Sequence, residues 1–384
     1  MNSITKDRAR RILLDLVAIP SVNPMGAVCT GIAPVERGAV EYIEGLFADT
    51  PADAHRHPVS AAHENLLVRY PADAEAPAIV FESHMDVVPA DDWLDRAFTP
   101  RLDGDVLYGR GACDDKGSLT AMILAMLDLL ESGERPPRPV LLLCAGDEEY
   151  AQTGIKSFRG LPFAIERGIF GEPTGLTPVV QHKGTMRWDI TVHGKSAHTS
   201  RPELGVNAIH GAMDVIAALR EHQRVLQARH PNPLMTGPML TVSMIRGGRT
   251  RNAVPDECVL SLDFRVVPGM DMEAARAEVF DVLDGLGWEV SHGDLQLMTP
   301  PLDTPIEHPF SRRVLSICRA HAGDGIQLRG EPYGTDGSWL ADRAAVLVLG
   351  PGDIRSAHAV DECIDLNEIV TCARIYREIM TAVE

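Results

Sequence analysis

The sequence lacks paired cysteines. Its seven (Cys29, Cys113, Cys144, Cys258, Cys318, Cys363, Cys372) are scattered and odd in number, and none forms a CxxC. This excludes a disulfide framework and a thiolate zinc site, and leaves buried, reduced, inert thiols as the expectation. Positive charge is also short: Lys and Arg total 36 against 54 Asp and Glu, a formal net charge of -18. Such a field repels phosphate backbones, and no basic stripe is interleaved with aromatics, so no nucleic-acid partner is expected. Long apolar runs are missing as well. The basic opening Met1 to Arg11 leads into an apolar stretch that Asp15 and Pro20 interrupt, which fails as a signal or spanning segment. A soluble cytoplasmic protein without a membrane partner is the expectation. Nucleotide loops are absent too: no GxxxxGK precedes Ser or Thr, and the run through Gly109 and Gly111 has Asp114 where a third glycine belongs.

What is present is a large core. With 384 residues, 45% of them hydrophobic, the chain is too long for one compact domain, and two are expected. Apolar residues Ile12, Leu13, Leu16 and Val17 predict an amphipathic helix over Arg8 to Ala18, ended by the breakers Pro20 to Pro24. Then strand (Ala78 to Ser83), helix (Ser118 to Leu130) and strand (Val140 to Ala145) alternate, the pattern of an α/β fold with a largely parallel sheet flanked by helices. Pro71 to Pro77 and Pro136 to Pro139 read as loops. Between Val180 and Met298 the order changes to strand (Thr185 to His193), helix (Val206 to Arg220), strands (Met239 to Arg246, Val259 to Val267), helix (Met272 to Leu286) and strand (Trp288 to Ser291). This β-α-β-β-α-β order reads as an inserted ferredoxin-like α+β domain, residues 181–298, within a first domain of residues 1–180 and 299–384. The helix Phe310 to His321 and buried strand Ala344 to Leu349 return to the first domain.

Chemistry-bearing residues collect just after the apolar strands. Ala78 to Ser83 leads to His84, Met85 and Asp86; Val140 to Ala145 leads to Asp147, Glu148 and Glu149; Gly168 to Phe170 leads to Glu172; Ala344 to Leu349 leads to His358. In an open α/β sheet, ligands gather at the carboxyl ends of strands, so these residues converge there, joined by Asp114 from a loop before a helix. Two imidazoles and several carboxylates form an N/O set that suits zinc and accepts cobalt or manganese. A bridging carboxylate serves two ions. A cation pair polarises an amide carbonyl and acidifies a shared water, and a free carboxylate must still move the proton.

The whole chain resembles the di-zinc deacylases and exopeptidases that include acetylornithine deacetylase, succinyl-diaminopimelate desuccinylase, aminoacylase and glutamate carboxypeptidase. The resemblance rests on SHMDVVP at Ser83 to Pro89, YGRGACDDKG at Tyr108 to Gly117, GDEE at Gly146 to Glu149, GEPT at Gly171 to Thr174 and GPGDIRSAH at Gly350 to His358. It implies a zinc-exopeptidase fold and two zinc ions: His84 and Glu172 on one, Glu149 and His358 on the other, Asp114 across both. Glu148 is then the general base, and Asp86 accepts from His84 to fix its tautomer. In the inserted domain, His198 of HGKSAHTSRP resembles the family histidine that stabilises the developing oxyanion, often from a partner subunit. Asn252, Arg265, Gly334 and Thr335 resemble positions that hold the substrate carboxylate, and Lys183 is a further substrate contact.

The resemblance therefore implies hydrolysis of the amide of a small N-acyl amino acid, in the acetylornithine manner, to a carboxylic acid and a free amine. Rival activities are a dipeptidase or carboxypeptidase and an N-succinyl-amino-acid desuccinylase. From another class, a catalytically inactive metal-binding scaffold competes, but it has no physical need of a base beside a bridge. Delivery of His198 implies a lid hinged near Gln181 and Met298, and a homodimer through the inserted domain.

Overall fold

The computed structural model describes residues 3–27, 34–70 and 76–382; Cys29 and most of the loop at Pro71 to Pro77 lie outside these. Within them the chain forms two compact units, residues 1–180, 303–329 and 335–384 in the first, 181–302 and 330–334 in the second. The stretch 330–334, assigned to the first domain on sequence grounds, groups with the second unit, where the Lys183 amide donates to the Glu331 carbonyl.

The first unit is built on a sheet in the order Asp53–Pro58, Glu64–Arg69, Val140–Ala145, Ala78–His84, Ile165–Phe170, Ala345–Val348. The last four run parallel, and the first two add antiparallel strands at one side. Ala78–His84 and Val140–Ala145 are buried along their whole length. Apolar runs without polar alternation are what a sheet covered on both faces requires. The helix Lys116–Ser132 packs on Ala78–His84, on Lys6–Ala18 and on the closing helix Leu366–Thr381. It is apolar nearly all round and accordingly buried. Its first residue, Lys116, is buried too, with Nζ donating to the carbonyls of Leu16 (2.9 Å) and Ile19 (2.8 Å) at the end of Lys6–Ala18. Both carbonyls lie at the helix C-terminus, where the next turn's amides are missing, and burial pushes the ammonium down to about 7.

A small antiparallel sheet joins Arg101–Asp103, Val106–Tyr108 and Cys363–Asp365. It sets the loop after Tyr108 beside the residues preceding Cys363, which matters for the site below.

The second unit has Gly184–His193 at the middle of an antiparallel sheet, between Glu257–Val266 on one side and Glu289–His292 and Leu297–Thr299 on the other, with Met239–Gly247 at an edge. Two helices, Ala208–Arg229 and Met272–Asp284, pack on each other, and the longer one packs on the sheet. Strict burial alternation along Glu257–Val266 marks a sheet with one face in the core, formed around Trp188, Ile190, Leu260, Phe264, Val215 and Val279. The element order is the β-α-β-β-α-β expected.

Candidate metal centre

The parallel strands of the first unit deliver their functional residues at one end. His84 is the last residue of its strand, Glu148 and Glu149 follow Ala145, Glu172 follows Phe170, and the chain beyond Val348 turns through Gly350 to His358. Register enforces the meeting, since His84 pairs with Ala145 and Glu82 with Phe170.

At the centre is Asp114. One of its carboxylate oxygens lies 3.1 Å from His84 Nε2 and the other 3.3 Å from His358 Nε2. His358 Nε2 also stands 3.1 Å from Glu149 Oε2. Donor atoms of His84, Asp114 and Glu149 lie within 4.8 Å of one another, as do those of His84, Glu148 and Glu172. His84, Asp114 and Glu172 are buried, whereas the His358 side chain is 55% exposed, leaving one side open to solvent.

Asp114 is held by an acid that composition and periodicity did not point to. Glu362 is fully buried, and its carboxylate accepts from the amides of Gly111 (2.9 Å), Cys113 (2.8 Å) and Asp114 (2.9 Å) and from Arg110 Nη1 (2.7 Å). The three-stranded sheet places Glu362 inside that loop, and the four donors bind it as a carboxylate bound in a nest of amides is bound. Its only sequence signal is its position four residues after His358.

Asp86 meets His84 through its backbone. His84 Nδ1 donates to the Asp86 backbone carbonyl at 2.9 Å, with the nearer carboxylate oxygen 3.7 Å away. A carbonyl only accepts, so Nδ1 carries the hydrogen and Nε2 is left to face Asp114. The carboxylate of Asp86 turns instead to the next loop, accepting from the amides of Glu148 (3.1 Å) and Glu149 (3.2 Å) and from Asn23 Nδ2 (2.8 Å). It thereby orients both glutamates.

The electrostatics describe an anionic pocket short of positive charge. Burial holds the Glu148 and Glu172 carboxyls well above their usual range, reinforced for Glu172 by the charges of Asp114 and Glu148. Burial, then the Asp114 charge, raises Glu149 as well. Burial acts on Asp114 in the same direction, but hydrogen bonds from His358 and His84 outweigh it and hold Asp114 well below. The same bonds to Asp114 and Glu149 push His358 up to about 10.

The residues fit a cation. Ligand atoms 2.0–2.2 Å from a tetrahedral zinc stand ~3.4 Å apart, and the three imidazole to carboxylate separations are 3.1, 3.3 and 3.1 Å. Among the described residues Glu149 Oε1 is buried with no hydrogen-bond donor. An anionic oxygen so placed is costly unless a cation or donor reaches it.

A family profile, Peptidase family M20/M25/M40, matches residues 80–382. The chain belongs to this family. It is accordingly a metal-dependent hydrolase. Over 361 residues it is 29% identical to an acetylornithine deacetylase of Pectobacterium carotovorum subsp. carotovorum (strain PC1), covering 91% of each chain. Over 414 aligned positions it is 26% identical to a probable succinyl-diaminopimelate desuccinylase of Staphylococcus epidermidis (strain ATCC 35984), covering 100% of this chain and 99% of that protein. Its fold matches the crystal structure of aminopeptidase PepT from Bacillus cereus ATCC 10987 with a TM-score of 0.78 at 19% identity, covering 99% of this chain and 100% of the other.

The remaining sequence candidates lie elsewhere in the chain. Thr335 is buried in the first unit, where its hydroxyl accepts from the Gly337 amide at 3.2 Å and caps a short helical turn. His198, Asn252, Arg265, Lys183 and Gly334 belong to the second unit, and they fall into two groups. His198 bridges Ala253, and the Thr199 amide donates to the Asn252 carbonyl, so these exposed residues are neighbours. Arg265 pairs with Thr185 at the opposite end of the ladder, close in sequence to Lys183. Arg265 bonds Asp263 (2.6 Å) and Thr185 (2.9 Å), so much of its fork is engaged. Lys183 Nζ donates to Thr236 Oγ1 (3.0 Å) and the Gly237 carbonyl (2.7 Å). His193, at the end of its strand, bonds Ser291.

Proposed function

We propose that this protein removes the acyl group from a small N-acyl amino acid, with N-acetyl-ornithine-like amides as the preferred class. The observation that carries the reading is Asp114 facing an imidazole with each carboxylate oxygen while Glu148 stands beside the same cluster. One acid facing two imidazoles, with further carboxylates including Glu148 gathered at His84, offers both ligands and a proton carrier, which amide hydrolysis requires and a passive metal store does not.

In this reading two zinc ions, replaceable by cobalt or manganese, would be held by His84 and Glu172 on one side and Glu149 and His358 on the other, with Asp114 serving both. Bound there, the pair would supply a polarised acyl carbonyl and an acidified water. The chain supplies the rest. Glu148 takes the water's proton, aimed by the Asp86 bond to its amide, and returns it to the leaving nitrogen as the amine departs. The backbone carbonyl of Asp86 keeps His84 in the tautomer that leaves Nε2 available. His198 is assigned to the oxyanion, and Arg265, Asn252, Lys183, Gly334 and Thr335 are assigned to the substrate.

We read the roles of His198 and Asn252 as supplied by a second copy of the chain. The register places Arg265 eight residues along the ladder from Glu257 at the His193 end, ~26 Å at 3.3 Å per residue. A small amino acid cannot span that within one copy, so His198 and Asn252 serve a partner's substrate in a homodimer. The edge strand Met239–Gly247, with exposed Met244 and Ile245, offers unpaired backbone for such an association. The second unit acts as the dimerisation element and as a lid. No helix among the described residues is long and apolar enough to cross a membrane, and the six described cysteines are free.

The test is amine release from N-acetyl, N-succinyl and dipeptide substrates by metal-free protein supplied with zinc or cobalt. Acetyl-amino acids are expected to react fastest. A clear preference for succinyl or dipeptide substrates would replace the acyl assignment, and no metal-dependent release from any of them would refute the reading.

A further inference from the structure

Gln152 stands four residues after Glu148, outside every motif quoted above, in left-handed backbone (φ 54°) at the start of the helix Thr153–Arg159. It is 5% exposed. Its Nε2 lies 3.2 Å from Glu148 Oε1, and its Oε1 lies 3.0 Å from the indole Nε1 of Trp339. The indole is fixed in turn by the Lys156 ammonium, 4.5 Å from the ring centroid, and Lys156 Nζ donates to the Ala151 carbonyl at 2.8 Å.

The chemistry of the indole decides which way the amide faces. An indole N–H only donates, so the Gln152 oxygen must meet Trp339, and the NH2 is thereby turned to Glu148. We propose that Trp339 and Gln152 form a positioning relay for the general base, in which the indole locks the amide and the amide holds Glu148 Oε1, leaving Oε2 as the oxygen that receives the proton. Gln152 and Trp339 touch no reacting atom and act only through Glu148. The inference rests on the base assignment made for this site.

The rigid framework is visible at each step. Gln152 is tied down at its own backbone, its amide donating to the Asp147 carbonyl at 2.6 Å. Glu148 is tied at the other end by the Asp86 bond to its amide. A glutamate gripped at its backbone and at one carboxylate oxygen keeps a single rotamer, which proton transfer within hydrogen-bond reach demands.

The variants Gln152→Met and Trp339→Phe preserve much of the shape and delete the two bonds. In metal-loaded protein each is expected to lower kcat about tenfold, a fraction of the 10²–10⁴ a positioned base contributes, with KM and metal content unchanged. Because the two act in one line, the double variant should be no slower than the slower single. In a Glu148→Gln background, Gln152→Met should change the residual rate less than about twofold, since its target is already gone. Effects that multiply, a change confined to KM, or a further loss in the Glu148→Gln background would overturn the relay. Crystal structures of the wild type and Gln152→Met give a readout apart from turnover: the relay predicts one Glu148 rotamer in the first and several in the second, and one unchanged rotamer in both contradicts it. If the wild type hydrolyses no acyl-amine, the functional reading falls, while these structures still decide the relay.

Discussion

The two units handle function in opposite ways. In the first, chemistry is convergent and mostly buried: five side chains from the ends of four parallel strands meet around Asp114 from a loop, and His84, Glu148 and Asp114 are oriented by hydrogen bonds to neighbours of the same unit. In the second, the polar candidates are exposed or engaged with other residues of that unit, and they lie at two ends of one ladder. A metal pocket must be preorganised before substrate arrives, whereas groups that meet the substrate can be brought together by assembly and closure. The contrast therefore separates what one unit can do alone from what the proposed homodimer would complete.

The largest effect should come from the first unit. Glu148→Gln is expected to cut kcat by about 10²–10⁴, the usual contribution of a positioned base, with metal content intact by elemental analysis. Loss of metal along with activity would make Glu148 a ligand and not the base. Next comes the second unit's contribution: His198→Ala should cost about 10²–10³ in kcat, as removal of an oxyanion donor does. Mixed dimers of His198→Ala and Glu148→Gln subunits should then regain a fraction of wild-type rate, because one of the two sites draws an intact base and an intact histidine from different chains. Verified heterodimers without recovery would place both groups in one chain and erase the proposed contrast. Smallest is the indirect effect of Glu362→Gln, which loosens the loop carrying Asp114. Metal affinity should fall about 10–100-fold, the range for losing a supporting partner, read by competition with a chelator. Unchanged affinity would mean the loop holds its shape without that charge.

How much of this was legible follows from where each residue sits. His84, Glu148, Glu149 and Glu172 stand at or within four residues of the ends of largely buried strands, so burial pattern and chemistry pointed to the same place. Glu362 did not stand out, because its partner Asp114 lies 248 residues away and the strands joining them are three residues long, too short for any periodicity. The edge strand Asp53–Pro58, DAHRHP, is polar and mostly exposed, and its place in the sheet comes from pairing with Glu64–Arg69. Asp86 was found by its spacing from His84, yet the atom that serves the imidazole is its carbonyl, a distinction that side-chain spacing does not encode. Gln152 carried no signal, since its role depends on Trp339, which arrives from a distant segment.

The central claim is that Asp114 is shared between two cations. Anomalous diffraction from a zinc-loaded crystal tests it directly. Two peaks a few ångströms apart, one flanked by His84 and Glu172 and the other by Glu149 and His358, with an Asp114 oxygen on each, are expected. One peak alone, or two with Asp114 touching neither or only one, would contradict it.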